Sequence, residues 1–261
     1  MAKNFYAAVD LRRQEILRFL ANHQNSSLSE IAEEFKTSEM TIRRDIHVLS
    51  QEGLITQNSR SQYSLNCDPS FDPQYFLRYS AHHQQKVAIA EEARSLIKSG
   101  EFIFMDSGTT VVELSKHLQH VQELTIVTNN FYIPMYFSQR PTNIQVEFLG
   151  GVVHLPSMST YGLEACRKVE SYRADYVFFS ADGLDFEAGI STDEYRLSDI
   201  KEAMLRNARK RVLLLDSSKL NRIAIQRIAT FDDLDIVVTD SGISADDLTK
   251  LRAVVEEVIV A

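Results

Sequence analysis

Cysteine is scarce in this 261-residue chain, which has only Cys67 and Cys166. They stand far apart with no partner at metal-ligand spacing, so neither a disulfide framework nor a Cys-type zinc site is expected. Glycine and proline are also few, 9 and 5, in a chain that is 44% hydrophobic and 25% charged. That excludes collagen, low-complexity disorder and a coiled-coil rod. No apolar run approaches the roughly 18–20 residues that a bilayer span requires. The longest, such as Val212-Leu213-Leu214-Leu215, are strand-sized. The opening Met1-Ala2-Lys3-Asn4-Phe5 has no apolar segment followed by small residues. No secretory signal is expected there, and the expected compartment is the cytoplasm.

An excess of positive charge is also missing. With 28 Lys+Arg and 36 Asp+Glu, the net charge is −8. Residues 1–60 nevertheless hold eight basic and eight acidic residues, so the whole negative excess lies beyond them. The first segment is neutral, and any contact with DNA there must come from local clustering.

The first 55 residues carry three helical patterns and no strand pattern. One runs from about Leu11 to Asn22. The second opens at Ser27-Leu28-Ser29-Glu30, a capping box, and places Leu28, Ile31, Ala32 and Phe35 on one apolar stripe. The third opens at Thr37 or Ser38, turns Ile42, Ile46 and Leu49 inward, and has Gly53 as its stop. Two or three residues between the second and third helices force a sharp crossing, the helix-turn-helix arrangement. Leu54-Ile55-Thr56 and Gln62-Tyr63-Ser64-Leu65 read as the strands of a β-hairpin wing around Asn58-Ser59-Arg60-Ser61. Residues 66–83, with Pro69 and Pro73, read as a linker.

From Gln84 onward, strand runs alternate with helices. The strands are expected at Phe102–Met105, Leu124–Val127, Ile144–Phe148, Tyr176–Phe179, Val212–Leu215, Ile236–Val238 and Val258–Val260. This alternation predicts an α/β fold with a mostly parallel sheet covered by helices on both faces. In such sheets ligands sit at the carboxyl ends of the strands.

Two regions carry candidate chemistry. On the third helix, Thr41, Arg44 and His47 project outward near the start, flanked by Arg43 and the capping Ser38. Arg suits guanine O6 and N7, and Thr suits a methyl or a phosphate. The bland alternative is a solvated face on which the arginines pair with Asp45 and Glu39. The second region is Asp106-Ser107-Gly108-Thr109-Thr110, directly after a strand and opening a helix. Small residues there let the backbone approach an anion. Further loops follow the later strands: Thr128-Asn129-Asn130, Gly150-Gly151, Asp182-Gly183-Leu184-Asp185 with Gly189-Ile190-Ser191, and Asp216-Ser217-Ser218-Lys219. Together they suit a polyol phosphate, with Lys219 as the counter-charge and Thr, Asn and Asp side chains for hydroxyls. Taken singly, each is ordinary turn chemistry. His82-His83 has no third ligand at metal spacing, and neither a nucleophile-elbow motif nor a Walker loop occurs.

The strings Ser27–Phe35, Thr41-Ile42-Arg43-Arg44-Asp45-Ile46 and Gly53-Leu54-Ile55 resemble the helix-turn-helix of the DeoR family of bacterial sugar-metabolism regulators. The likeness continues to the C-terminus. Thr37 stands where the family usually has Val, and Gln57-Asn58-Ser59-Arg60 replaces its usual Gly-Gly wing. The resemblance implies a winged helix-turn-helix at 1–65 (motif about 27–46), a linker at 66–83, and an effector-sensing domain at 84–261 similar to the ribose-5-phosphate isomerase and coenzyme A transferase fold. It places Gly108, Thr109 and Thr110 on a sugar phosphate, with Asp106, Thr128, Asn129, Asp182 and Lys219 lining the cleft. Lys201 occupies a position where the family usually has Lys, or is simply a solvated helix residue. The implied partners are operator DNA, a phosphorylated sugar and further copies of the chain, at least as a dimer, with no membrane and no cofactor. The runner-up is a sugar-phosphate isomerase carrying a helix-turn-helix appendage, with Asp182, Asp185 and Glu194 as available carboxylates. Against it, the stretch from Gly189 to Lys201 lacks the glycine-rich loop followed by Glu of the similar isomerases.

Overall fold

The computed structural model describes residues 2–23, 25–51, 54–58, 60–66 and 73–261. The chain forms two compact units, Met1–His83 and Gln84–Ala261.

The first unit runs α1 (Ala2–Asn22), β1 (Ser26–Ser27), α2 (Leu28–Glu34), α3 (Glu39–Gln51), β2 (Ile55–Gln57), β3 (Gln62–Leu65) and α4 (Pro73–Ser80). Ser27 caps α2 as expected. Its hydroxyl accepts the Glu30 amide at 3.3 Å, and the Glu30 carboxylate accepts the Ser27 amide at 2.7 Å. Ser38 caps α3, its hydroxyl accepting the Thr41 amide at 3.2 Å. Between the two helices Lys36 adopts φ +48°, the left-handed step that turns the chain. Ile16, Leu17 and Leu20 of α1 pack with Ile31, Ile42, Ile46 and Leu49 and with Leu54, Ile55 and Leu65 of the hairpin. The hairpin pairs Ile55 with Leu65 and Gln57 with Tyr63.

Two expectations are corrected here. The first 55 residues do contain a strand: β1 pairs with β3, Ser26 opposite Tyr63. Two polar residues show no period of their own, and only the hairpin edge beside them makes them a strand. The segment read as a linker contains α4, whose Phe76 is buried in the same core. Proline at its first position fits a helix start as well as a linker. Gly53, Ser59, Cys67 and Pro69 lie outside the described residues.

The second unit runs α5 (His83–Arg94), β4 (Phe102–Met105), α6 (Thr109–Lys116), β5 (Thr125–Thr128), α7 (Tyr132–Ser138), β6 (Gln145–Phe148), β7 (Val152–His154), β8 (Ser159–Tyr161), α8 (Leu163–Glu170), β9 (Ala174–Phe179), β10 (Gly183–Asp185), β11 (Gly189–Thr192), α9 (Ser198–Arg206), β12 (Ala208–Leu214), β13 (Gln226–Ala229), β14 (Ile236–Thr239), α10 (Ala245–Val254) and β15 (Glu257–Val260). Its main sheet has seven strands in the order β6-β5-β4-β9-β12-β14-β15. Every ladder in it is parallel.

Both faces of that sheet are covered. Ile103, Met105, Ile126, Phe178, Val212 and Leu214 pack against α5, α6 and α7. Phe104, Val127, Val177, Phe179 and Leu213 pack against α8, α9 and α10. Adjacent strand residues thus serve opposite cores, which is why the inner strands read as largely apolar runs. The chain builds β5 and β6 to one side of β4, then returns to lay β9 on the other side. Strand order therefore reverses between β4 and β9, the place in such sheets where ligands bind at the carboxyl ends of the strands.

Gly183–Asp185 and Gly189–Thr192, which fall in segments expected as loops, are instead strands β10 and β11; they pair antiparallel with each other, and β11 pairs antiparallel with β13 on its other side. Runs of three or four residues broken by Gly and Asp carry no readable alternation, and β13 lies far along the chain. Among the described residues, no helix is long and apolar enough to cross a membrane.

Candidate functional site

On α3 the exposed side chains include Met40, Arg43, Arg44 and His47, along with Glu39, Ser50 and Gln51, while Ile42, Asp45, Ile46 and Leu49 are buried. Among the described residues neither Arg43 nor Arg44 has an ion pair or hydrogen bond to another side chain. The arginines of α1 are committed: Arg18 to Glu15, and Arg12 and Arg13 to Asp45 at 2.6 and 3.2 Å. The pairing of Arg43 and Arg44 with Asp45 and Glu39, weighed from the sequence, does not occur. Asp45, on α3, pairs instead with these two arginines of α1 and so clamps the two helices together. Two adjacent unpaired cations on an exposed helix face suit a polyanion. Thr41 is placed differently from its neighbours. It is half-buried, and its hydroxyl sits 2.9 Å from that of Ser38, within the helix cap.

The wing turn is held by Asn58, whose side-chain oxygen accepts the amides of Arg60 and Gln62 at 3.0 and 3.1 Å. Arg60 is left exposed beside it. The turn is thus ordered without the glycine pair common in the resembling family.

In the second unit, the Asp106 turn sits at the point where strand order reverses. Gly108 is the N-cap of α6 and supplies no side-chain cap to its first turn. A Cβ on Gly108 would lie 1.7 Å from Ser180 Oγ, so no larger residue fits without displacing that serine. Asp106, 1% exposed, organises the turn. It accepts the Gly108 amide at 2.7 Å and the Ser180 amide at 3.2 Å, and it forms an ion pair with Lys201. Lys201 also donates to the Ser180 carbonyl at 3.0 Å. Lys201 is therefore a buried partner of the turn, not a solvated helix residue. The signal was in the sequence, since Lys201 shares the stripe of Met204 and Leu205 on α9.

The remaining predicted residues divide into two groups. Asn130 Nδ2 donates to the Ser107 carbonyl at 3.4 Å, and its amide is bonded to Thr128 Oγ1, so the β5 loop abuts the turn. Asp182 accepts from Thr192 Oγ1 at 2.9 Å and from the Asp193 amide at 3.0 Å, with Lys219 Nζ 4.0 Å away. Burial alone would raise the Asp182 carboxyl, but Lys219, these hydrogen bonds and Lys201 hold it below the usual carboxylate range. Lys219 itself donates to the Ala181 carbonyl at 2.8 Å. Thr109 is half-buried and Thr110 buried at the start of α6.

Others serve packing. Asn129 Nδ2 donates to the Thr160 carbonyl at 2.9 Å and ties down the β7–β8 hairpin. Gly150 and Gly151 are exposed at the start of that hairpin, beside the edge strand β6, and Gly151 takes φ +121°. Gly183 is a strand residue, where a Cβ would lie 2.2 Å from the Arg222 carbonyl oxygen. Ser180 and Thr192 were not expected. They are common residue types, and only the meeting of β9, β11 and the Asp106 turn singles them out. Among the described residues, no three His, Cys, Asp or Glu side chains are grouped so as to hold a metal ion.

A winged helix-turn-helix unit followed along the chain by an α/β unit with a parallel sheet has the architecture of a transcriptional regulator with a sensor domain. Residues 12–59 match the DeoR-like helix-turn-helix domain and residues 81–241 match the DeoR C terminal sensor domain, so the chain belongs to the DeoR family. The uncharacterized HTH-type transcriptional regulator YgbI of Escherichia coli K12 is 32% identical, over 89% of this chain and 90% of its own length. The HTH-type transcriptional regulator GolR of Listeria innocua is 28% identical over 89% and 91%. The L-fucose operon activator of Escherichia coli K12 is 27% identical over 88% and 94%. The protein is a DNA-binding transcriptional regulator of this family, and the isomerase alternative is not favoured.

Proposed function

We propose that the protein controls a carbohydrate-metabolism operon in the cytoplasm, as a homodimer or larger assembly, and that a phosphorylated sugar sets its affinity for the operator. The observation that carries the effector reading is the Ser107–Thr110 turn. Its α6 amides have no side-chain cap, its backbone is pressed against Ser180, and a buried Asp106–Lys201 pair holds it in place. The phosphate takes the amides of the α6 N-terminus and the hydroxyls of Ser107 and Thr109. Lys219 swings from the Ala181 carbonyl to supply charge, and Asp182 accepts from sugar hydroxyls. For the sugar to alter operator affinity, it must bind the DNA-competent and DNA-incompetent states unequally.

Calorimetric titration with a panel of pentose and hexose phosphates tests the pocket. Lys219→Ala is expected to weaken the best ligand by about 2 kcal/mol, the usual strength of a charge-assisted hydrogen bond. Operator binding without ligand is expected to survive. Equal affinity in the two proteins would place the phosphate elsewhere.

The DNA side rests on Arg43, Arg44 and His47, with Ser38 and Thr41 at the helix start. Arg44→Ala is expected to weaken operator binding by about 1–3 kcal/mol if Arg44 reads a base. Thermal unfolding should be unchanged, because the side chain is exposed and unpaired. Arg43→Ala is expected to weaken all duplexes alike and to flatten the salt dependence, as loss of a phosphate contact does. Gel-shift titrations at several salt concentrations separate the two.

A further inference from the structure

The exposed surface of α3 includes an apolar side chain that the charge-based reading leaves out. Met40 is 58% exposed, one turn before Arg44 and two before His47. Residues at i, i+4 and i+7 share one helix face, so Met40 lies in line with Arg44 and His47. Arg43 flanks the line. Thr41, one residue on, lies toward the buried side and spends its hydroxyl on the Ser38 cap.

A single exposed apolar residue needs no explanation by itself. Met40 differs in its setting. It stands in the first turn of the helix, one turn before the unpaired Arg43 and Arg44, on a surface that presents these cations. DNA offers one apolar group in the major groove, the thymine 5-methyl. Methionine is unbranched and polarizable, and it fits against such a group without demanding one fixed approach. We propose that Met40 contacts a thymine methyl and makes this helix select thymine at one position of each half-site. The proposal rests on α3 being the DNA-reading helix, and it adds an apolar contact to the arginine contacts.

The test uses the full-length protein and a duplex that it selects from a randomised pool. Each thymine of that duplex is replaced singly by deoxyuridine, which removes only the methyl. At the contacted position the wild-type protein is expected to bind about four-fold more weakly, the equivalent of one buried methyl-sized group. Met40→Ala is expected to lose a similar factor on the thymine duplex and to become indifferent to deoxyuridine at that position alone. Met40→Leu, which keeps an apolar tip, is expected to retain the preference. Unchanged melting temperatures check that neither variant has lost its fold.

Other results overturn the inference. One is a selected duplex with no invariant thymine. Another is a deoxyuridine penalty of equal size in wild type and Met40→Ala. A third is a Met40→Ala protein with full operator affinity but a smaller assembly in solution, which would make Met40 a protein–protein contact. In each of these the protein still binds a selected sequence, so the DNA-reading assignment stands while the Met40 role falls. Failure to select any sequence would remove both.

Discussion

Replacing Asp45 by alanine is expected to destabilise the first unit by about 3 kcal/mol and to abolish operator binding, although Asp45 itself faces away from the DNA surface. The carboxylate is buried and accepts from Arg12 and Arg13, which lie on α1. Removing one member of a buried charge cluster typically costs about 3–5 kcal/mol, because the remaining charge is left uncompensated. The lower figure applies here because the arginine side chains keep 29% and 25% of their surface in water. Hydrogen exchange on the full-length protein should show loss of protection in α1 and α3, with the second unit unaffected. Arg43→Ala, an exposed substitution on the same helix, is the control and should leave protection unchanged. If Asp45→Ala binds operator with wild-type affinity, the clamp does not position α3.

Lys201→Met is expected to be at least as costly, at about 3–5 kcal/mol. Lys201 is 5% exposed and Asp106 is 1% exposed, so neither can turn to water when the other is lost. Asp106 would then be a buried carboxylate held only by the amides of Gly108 and Ser180. The turn it organises should loosen, and sugar-phosphate binding should fall with it. Adding Asp106→Asn to the variant removes the stranded charge. The double variant is therefore expected to recover part of the stability, though not the ligand affinity. Chemical denaturation followed by circular dichroism measures the first effect, and calorimetric titration measures the second. Additive losses in the double variant would show that the two groups do not act as a pair.

Both expectations concern charges whose partners were hidden in the sequence for the same reason. Asp45 and Arg12 are separated by 33 residues, and Lys201 and Asp106 by 95. Read locally, Asp45 and Glu39 look like partners for the neighbouring Arg43 and Arg44 on the helix. Helix geometry turns Asp45 inward with Ile42, Ile46 and Leu49, and Arg43 outward. The same geometry brings Met40 onto the outward line and moves Thr41 off it, a distinction that depends on where the packed face begins. Lys201 was the more legible case, being a lysine in an apolar stripe. A stripe position still does not say which buried acid awaits it.

The inner strands of the main sheet were readable because β4, β5, β9 and β14 are buried on both faces for most of their length and so form largely apolar runs. Phe102–Met105 was expected with the bounds that β4 has. The α2 capping box was likewise readable, since both of its partners lie within four residues. The small elements were not. β1, β7, β8, β10, β11 and β13 are two to four residues long. Such segments are strands only because a partner lies beside them, and pairing over long separations leaves no local period.

What the sequence by itself determined, then, is whatever short-range chemistry can encode: capped helices around an apolar stripe, buried parallel strands, and a small-residue turn opening α6. The tertiary structure decided which charges are free and which are spent. It paired Asp45 with α1 and thereby left Arg43 and Arg44 open. It reversed the strand order between β4 and β9, so that the Asp106 turn meets Ser180 and Lys201. The physical reason is range. Capping and periodicity act within a few residues, whereas desolvating a charge makes it seek a counter-charge wherever the packed chain supplies one.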